Sequence, residues 1–520
     1  MPDTRHILWA DDEIDLLRPH VLFLEDRGFK VEAVANGEDA VSVFARGRFD
    51  AVLLDEMMPG MGGLKTLEAI KEIDPSVPVV LITKSEEEWL MNEAIGKRIS
   101  DYLIKPVNPS QIFLAIKRLL EGKKLEEGQL TRDFVEEFSR IRTVDPGSLD
   151  AAGWVDLYSQ LTHWELRLDP IRDLGLGQSC EDLKRQANVE FGRFIEENYA
   201  RWIKAPNARP GLSTDVVRRW VQPHLSAGRR VYLIVVDCMR LDQWLVVEPM
   251  LEPYFAMSRD HYFGILPSAT PYARNSIFAG LFPAEILVQH PDYWQEKVPA
   301  EKSKNRFEKE LLEAQLKRLG NRPLSLKYVK VYSSEEGLAL GRQVAGFAAL
   351  DVVALVFNFV DILAHGRSES DILRELAPDE AGFRSLMSSW FAHSALFDIL
   401  KAIATQDNCV AVITTDHGSV MGKRAALVYG DRTTSTNLRY KFGRNLGCDA
   451  KQALHIKDPA AYALPADTLN KHYIIAKEDY YFVYPTNFHE YERQYRGSFQ
   501  HGGISMEEMI LPAITLVPKR

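Results

Sequence analysis

The sequence predicts an α/β multidomain protein: a doubly wound five-stranded parallel sheet, then a small helical bundle, then a large α/β domain. Three observations carry that prediction. Within the first 120 residues, short apolar runs ending in polar residues alternate with helical patterns. From about 121 to 203, apolar and aromatic residues recur only at helical spacing. After residue 229, three apolar strand-like runs each end on an aspartate. A chain of 520 residues also exceeds one ordinary core, and at roughly 150 residues per domain it should hold about three.

Composition narrows the class. Apolar residues make up 46% and charged residues 26%, the profile of a soluble globular protein. The net charge of −10 argues against a general nucleic-acid coat, although a local basic groove would be hidden in the total. Cys180, Cys238, Cys409 and Cys448 are scattered and form no CxxC pair, so neither a disulfide framework nor a thiolate zinc site is indicated. The start "MPDTRHILWADDE" lacks a cationic segment followed by an apolar core, and no run of about 18 apolar residues occurs. The expectation is a cytoplasmic protein without membrane insertion.

In the first 120 residues the runs "HILWADDE", "KVEAVA", "DAVLLDEMMPG", "VPVVLITKS" and "DYLIKPV" read as strands. Helical patterns such as Ile14, Leu17, Val21 and Leu24, or Leu64, Leu67 and Ile70, lie between them. In such a sheet reactive groups gather beyond the carboxyl ends of the strands. Asp11 and Asp12 follow the first strand, Asp55 the third, Thr83 the fourth and Lys105 the fifth. Three converging carboxylates repel one another unless a cation sits among them, and hard oxygen ligands favour Mg²⁺. With these positions on the page, residues 5–120 resemble a response-regulator receiver domain. The likeness covers Asp11/Asp12, Asp55 followed by "MMPGMGG", Thr83, Lys105 with Pro106, and Tyr102 at the aromatic switch position. It implies that a cognate sensor histidine kinase phosphorylates Asp55, with Mg²⁺ held by Asp12 and Asp55, and that Thr83 and Lys105 answer the added charge.

The middle segment, 123–205, reads as a helical bundle or stalk. Phe134, Phe138 and Ile141, then Trp154, Leu157, Tyr158, Leu161 and Trp164, then Leu183, Ala187, Phe191, Phe194 and Ile195, form apolar stripes suited to a core. No short turn flanked by a basic recognition helix is found, which makes a DNA-binding transcription factor the weakest reading. "KAPNARPGLS" (204–213) then reads as a boundary, giving domains 1–122, 123–205 and 206–520.

The last domain carries "RRVYLIVVD", "DVVALVFNFVD" and "NCVAVITTDHG", ending on Asp237, Asp361 and Asp416. Buried runs of this kind suit a parallel sheet covered on both faces. One terminal aspartate means little, because aspartate is a common turn residue; three at one end of a sheet are harder to dismiss. Histidines sharpen the pattern: His365 stands four residues after Asp361, on one face if the segment turns helically, and His417 follows Asp416 directly. "SFQHGGISMEEMILP" places His501 before two glycines, where backbone can approach a site closely. Mixed imidazole and carboxylate ligands suit Zn²⁺ or Mn²⁺. In "GILPSATPYARNSIFAGLFP" a hydroxyl, Ser268 or Thr270, runs into a helical pattern, and a divalent metal would activate it as a nucleophile.

The order Asp237, Thr270, Asp361 with His365, Asp416 with His417, then His501 resembles the alkaline phosphatase superfamily of bimetallic phosphohydrolases over about 210–520. The resemblance implies one metal at Asp237, Thr270, Asp416 and His417, a second at Asp361, His365 and His501, and Thr270 as nucleophile. "HGGISMEEMILP" is most similar to the PglZ branch. Arg274 and Asn275 are candidates to bind a phosphate oxygen, or are ordinary helix-start polar residues. Threonine in place of the superfamily's serine, with no third magnesium site assignable, points toward diesterase-like members. Cys238 reads as core. In "DRTTSTNLRYKFGRNLG", Arg432, Arg439, Lys441 and Arg444 interleave with Tyr440 and Phe442, a pattern suited to phosphate contacts and base stacking or to a solvated loop. A charged helix over 301–320 either caps the site or only covers it.

A receiver joined through helices to such a domain resembles the PorX family of response regulators. That resemblance implies a link to type IX secretion and hydrolysis of linear or cyclic oligonucleotides by two Zn²⁺ ions under control of Asp55. A phosphorylation-favoured homodimer and a sigma factor or secretion-system component are the further partners implied. The alternative is a signalling scaffold that binds a transcription or secretion partner, its metals structural.

Overall fold

The computed structural model describes residues 5–84, 99–170, 174–294, 305–320, 322–431, 435, 437–466, 471–486 and 488–519. The chain divides into two compact units, Met1–Ser139 and Arg140–Arg520.

In the first unit, β1 (Arg5–Ala10), β2 (Phe29–Val34), β3 (Ala51–Asp55), β4 (Val79–Thr83) and β5 (Asp101–Ile104) form a sheet of order β2-β1-β3-β4-β5. All its pairings are parallel. Residues of one strand alternate between two buried faces, which explains the near-continuous apolar runs. Leu8, Val52 and Leu54 pack with Ala40, Leu67 and Ile70 on one side. Ile7, Trp9 and Leu53 pack with Val21, Leu24, Ile112 and Ile116 on the other. The expected doubly wound five-stranded parallel sheet is therefore the observed one. The helix after β5 continues unbroken over Pro109–Thr143.

The second unit is built on a six-stranded sheet. Its strands include β6 (Arg230–Val236), β7 (Phe255–Phe263), β8 (Leu326–Val331), β9 (Val352–Phe357) and β10 (Cys409–Thr414). In spatial order they run β7, the C-terminal strand Ile510–Pro518, β10, β6, β9 and β8. The strands β10, β6, β9 and β8 are mutually parallel, as the buried runs suggest. The C-terminal strand is antiparallel to both β10 and β7, which makes the sheet mixed rather than parallel throughout. Sequence periodicity misses β7 because "FAMSRDHYF" lies at the sheet edge and is largely exposed in its middle.

The helices Ala151–Leu168 and Leu174–Lys204 are where the aromatic stripes predict them. Their core is not private to a separate bundle. Trp154, Tyr158, Phe191 and Tyr199 share one apolar cluster with Val231, Leu233 and Phe263. Phe191 stacks on Phe263 at 6.3 Å, and Trp202 meets the same ring edge-on at 5.2 Å. Two helices alone cannot bury stripes this wide, so they close against the sheet. The opposite sheet face, with Tyr232, Ile234 and Val236, packs on Phe383, Met387, Ile399 and Leu400.

Candidate active site and metal centre

The receiver residues meet at the carboxyl ends of the strands. Asp55 closes β3, Thr83 closes β4, and Lys105 follows β5. Lys105 Nζ lies 2.7 Å from Asp55 Oδ1 and 3.0 Å from Asp11 Oδ2. Ligand oxygens of Asp11, Asp12 and Asp55 come within 4.8 Å of one another. Burial, with the Asp11 charge adding to it, pushes the Asp55 carboxyl up, while the bond from Lys105 pulls it down. Tyr102 is 42% exposed. Glu56 was not singled out by sequence, yet its carboxylate accepts the hydroxyl of Thr83.

In the second unit, one end of the sheet gathers the Asp and His residues. Asp237 directly follows β6, and Asp416 and His417 follow β10. Asp361 is not a strand end: β9 stops at Phe357, and Asp361 lies in the first turn of the helix Phe359–Glu369. That turn makes the four-residue step to His365 work, with His365 Nε2 3.3 Å from Asp361 Oδ1. His501 approaches the same carboxylate at 3.6 Å. Two groups result, Asp237 with Asp416 and His417, and Asp361 with His365 and His501, each with ligand atoms within 4.8 Å. They adjoin, because the rings of His417 and His501 stack at 4.1 Å.

Thr270 is the first residue of the helix Thr270–Ala279. Its Oγ1 lies 2.9 Å from His417 Nε2 and 3.5 Å from Asp237 Oδ1. Ser268 points elsewhere, donating to the Gly503 carbonyl at 2.7 Å while fully buried. The other ring nitrogen of His417 is 3.0 Å from the Gly418 carbonyl, which favours the tautomer that leaves Nε2 bare toward Thr270. Cys238 adopts a positive φ of 66°, and its backbone N–H donates to Asp416 Oδ1 at 3.3 Å. It is buried beside the ligands rather than among them.

These donors fit divalent cations. Asp416 and His417 are fully buried, and Asp416 Oδ2 has no hydrogen-bond donor among the described residues. Arg274 NH1 and His417 Nε2 stand off from that oxygen at 3.9 and 3.7 Å. His365 Nε2 and His501 Nε2 face each other at 3.3 Å. Buried carboxylates so placed are costly without a counter-charge. Burial, then repulsion from Asp416, holds the Asp237 carboxyl well above its usual range, and burial raises Asp416. Against the upward push of burial, the bond from His365 and the charge of His501 pull Asp361 well below its usual value. The His365 side of the site is the open one, at 42% exposure against none for His417.

A pH prediction follows from the raised carboxyls. A folded acid that keeps its proton longer than the unfolded chain carries its full stability cost above the folded pKa; the cost shrinks as pH falls below that value and is gone below the unfolded pKa. Metal-free Asp416→Asn is therefore expected to melt above metal-free wild type at neutral pH, with the gap closing in acid. Thermal melts in chelator across pH check this.

Other expected site residues stand differently. Arg274 donates through Nε to Glu308 at 2.7 Å and through NH1 to Asp237 at 2.5 Å and Asn358 at 3.1 Å. Asn275 donates to the Pro271 carbonyl of its own helix at 2.9 Å. Arg274 thus clamps the Asp237 carboxylate, and Asn275 bonds back within its own helix. Arg439 is fully buried, with Nε 3.1 Å from Glu508 Oε1 and NH2 2.5 Å from Oε2. Lys441 is also buried; its ammonium reaches the Ser435 carbonyl, and desolvation lowers its pKa to about 8. Both belong to packing around the strand Tyr440–Gly443 rather than to a substrate face. Arg444 is exposed, and Arg432 lies outside the described residues.

The expected 301–320 helix is described only from 305, as a helix over Glu308–Arg318. Leu311, Leu312 and Leu316 are buried, so it is a packed element. Glu308 binds Arg274, and Asn305 donates to the Thr270 carbonyl at 3.2 Å. Glu308, Asn305 and Asn358 were all missed by sequence. Only Asn358 left a signal, a polar residue interrupting the apolar run "VVALVFNFV".

Residues 7–117 match the response regulator receiver domain, 124–203 the PorX response regulator linker domain, and 216–516 the BREX system PglZ alkaline phosphatase-like domain. The transcriptional regulatory protein ResD of Bacillus subtilis (strain 168) is 31% identical over 114 residues, 22% of this chain and 47% of the relative. SrrA, a transcriptional regulatory protein of Staphylococcus aureus (strain NCTC 8325 / PS 47), is 29% identical over 141 residues, 26% of this chain and 58% of the relative. The chain thus spans about half the length of these curated relatives. A solved CheY-like receiver domain protein from Methanospirillum hungatei JF-1 is 25% identical, covering 24% of this chain and 99% of that one at a TM-score of 0.23. Receiver and alkaline phosphatase-like domains usually bind divalent metals, and a receiver implies a phosphodonor such as a sensor kinase. Among the described residues no helix is long and apolar enough to cross a membrane. The chain belongs to the PglZ family of alkaline phosphatase-like domains, which it carries behind a receiver and a PorX linker as a two-component response regulator of the PorX type.

Proposed function

We propose that the C-terminal domain is a zinc-dependent phosphodiesterase acting on linear or cyclic oligonucleotides, controlled by phosphorylation of Asp55. The observation that carries the reading is Thr270 Oγ1 beside His417 and Asp237, at the junction of two Asp/His groups. Asp237, Asp416, His417 and Thr270 would hold one ion, and Asp361, His365 and His501 the other. Two such ions, when bound, supply Lewis acidity at the attacking and leaving oxygens of an in-line displacement.

The chain's own groups do the rest. Thr270 Oγ1 gives up its proton and forms the bond to phosphorus as the bond from phosphorus to the leaving ester oxygen breaks; that oxygen departs as the alcohol with a proton, and water then cleaves the nucleotidylated threonine, returning the hydroxyl of Thr270. Arg274 orients Asp237, and Asn305 fixes the Thr270 carbonyl so that the hydroxyl stays aimed. Substrate enters from the more exposed side, past His365. Domain limits of 1–122, 123–205 and 206–520, a cytoplasmic location, a phosphorylation-favoured dimer, Mg²⁺ at Asp12 and Asp55, and a role in type IX secretion belong to the same proposal.

The test is metal analysis of purified protein followed by a substrate panel of phosphomonoesters, cyclic dinucleotides and short oligonucleotides. Each substrate is run with and without a phosphoryl mimic at Asp55. Zinc-dependent cleavage of diesters, changed by the mimic along with the oligomer, is expected. Cleavage of monoesters alone, or no response of rate or mass to the mimic, would contradict it.

A further inference from the structure

We propose that Asn188 and Lys184 of the linker helix are positioning residues for the metal centre, acting through Glu507 on the loops that carry His417 and His501. Lys184 and Asn188 stand four residues apart and so share one face of the helix Leu174–Lys204. Asn188 bonds the C-terminal loop twice. Its Nδ2 donates to Glu507 Oε2 at 3.0 Å, and its Oδ1 accepts from the Met506 N–H at 2.8 Å. Lys184 Nζ pairs with the other oxygen of Glu507 at 3.0 Å and with Glu165 at 2.9 Å. Lys184, Asn188 and Glu507 are all buried, at 7%, 5% and 4% exposure. Bonds to a charged group in such a place hold geometry more firmly than surface bonds do.

Glu507 reaches both ligand loops. It follows His501 by six residues, in the short helix Met506–Met509, and the turn between them is fixed by Glu508, which accepts from the Gly503 N–H at 2.8 Å and from the Ser505 hydroxyl. Its main chain presses against Gly418, the residue after His417. A Cβ on Gly418 would fall 2.9 Å from the Glu507 carbonyl carbon and closer still to its oxygen. The Gly418 N–H also bonds the Glu508 carbonyl at 3.3 Å, and the Gly418 carbonyl faces His417 Nδ1. A shift of Glu507 therefore moves the support of both imidazoles at once. A cavity of about 330 Å³ lined by Lys184, Asn188, Glu507, Val420 and Met421 flanks this contact. Ligand-orienting partners of this kind typically set metal affinity by roughly 10–100-fold.

The inference rests on the two-ion reading of the site, and its test separates the two. Zinc affinity of the full chain is measured by chelator competition for wild type, Asn188→Ala, Glu507→Gln and Glu196→Gln, with diester hydrolysis alongside. Glu196 is the control, since it joins the same helix to the Lys477 side chain at 2.7 Å; Lys477 bridges Ile504 through its main chain, and the Glu196 bond reaches neither Glu507 nor Gly418. Asn188→Ala is expected to weaken zinc binding about 10-fold or more and to lower kcat rather than raise KM, Glu507→Gln to do so less, and Glu196→Gln to match wild type. If Asn188→Ala does not fold, Glu507→Gln carries the comparison alone. Wild-type zinc affinity in whichever of the two variants folds, with only the melting temperature lowered, would overturn the proposal. A lost affinity in a chain whose wild type cleaves no diester would leave these positioning roles standing and overturn the phosphodiesterase reading instead.

Discussion

Thr270→Ala is expected to lower the rate of diester cleavage by roughly 10³–10⁶-fold while both metals stay bound. The reasoning is geometric. Thr270 opens a helix, and its neighbours Pro271 and Ala273 keep that helix packed whether or not the hydroxyl is present. Among the described residues its Oγ1 is the hydroxyl that hydrogen-bonds with both Asp237 and His417, and Ser268 is committed to the Gly503 carbonyl. Loss of the hydroxyl removes the attacking atom and at most one metal contact, leaving Asp237, Asp416 and His417 in place. Thr270→Ser should retain a large part of the rate, because it keeps the oxygen and sheds only a methyl group. Steady-state rates beside metal content check both variants; full activity in Thr270→Ala would remove it as nucleophile.

The second large effect is at the other group of ligands. Asp361→Ala is expected to halve the bound zinc and to reduce hydrolysis by more than the roughly 100-fold that loss of an outer partner costs. Asp361 is the only carboxylate of its group, and both His365 and His501 lie within 3.6 Å of it. Without it, two imidazoles remain, and they bring no negative charge to hold a divalent ion in a partly open site. The fold should survive, because Asp361 is a half-buried residue of a first helical turn and not part of the apolar core. Metal content by mass spectrometry, read together with circular dichroism, separates loss of the ion from loss of the fold.

How far these residues were legible in the sequence depended on distance along the chain. Asp237 and Asp416 ended apolar runs, and a buried strand that stops on an acid advertises itself. His365 was legible through the helical step from Asp361, although Asp361 itself lies a turn beyond the strand it was assigned to. Arg439 and Lys441 misled because basic and aromatic residues in alternation look alike whether they face solvent or line a core. The partner that decides the matter for Arg439, Glu508, is 69 residues away. Glu308 and Asn305 were invisible for the same reason, since their partners Arg274 and Thr270 sit more than 30 residues upstream. The aromatic stripes of the linker correctly announced core faces. They carried no information about which surface they would cover, and that surface is the sheet of the second unit.

The proposed two-ion centre around Thr270 can be tested by anomalous diffraction at the zinc absorption edge from crystals of the metal-loaded protein. Two peaks about 4 Å apart are expected, one bounded by Asp237, Asp416 and His417 and the other by Asp361, His365 and His501, with Thr270 Oγ1 at the first. A single peak, or peaks away from these residues, would contradict it.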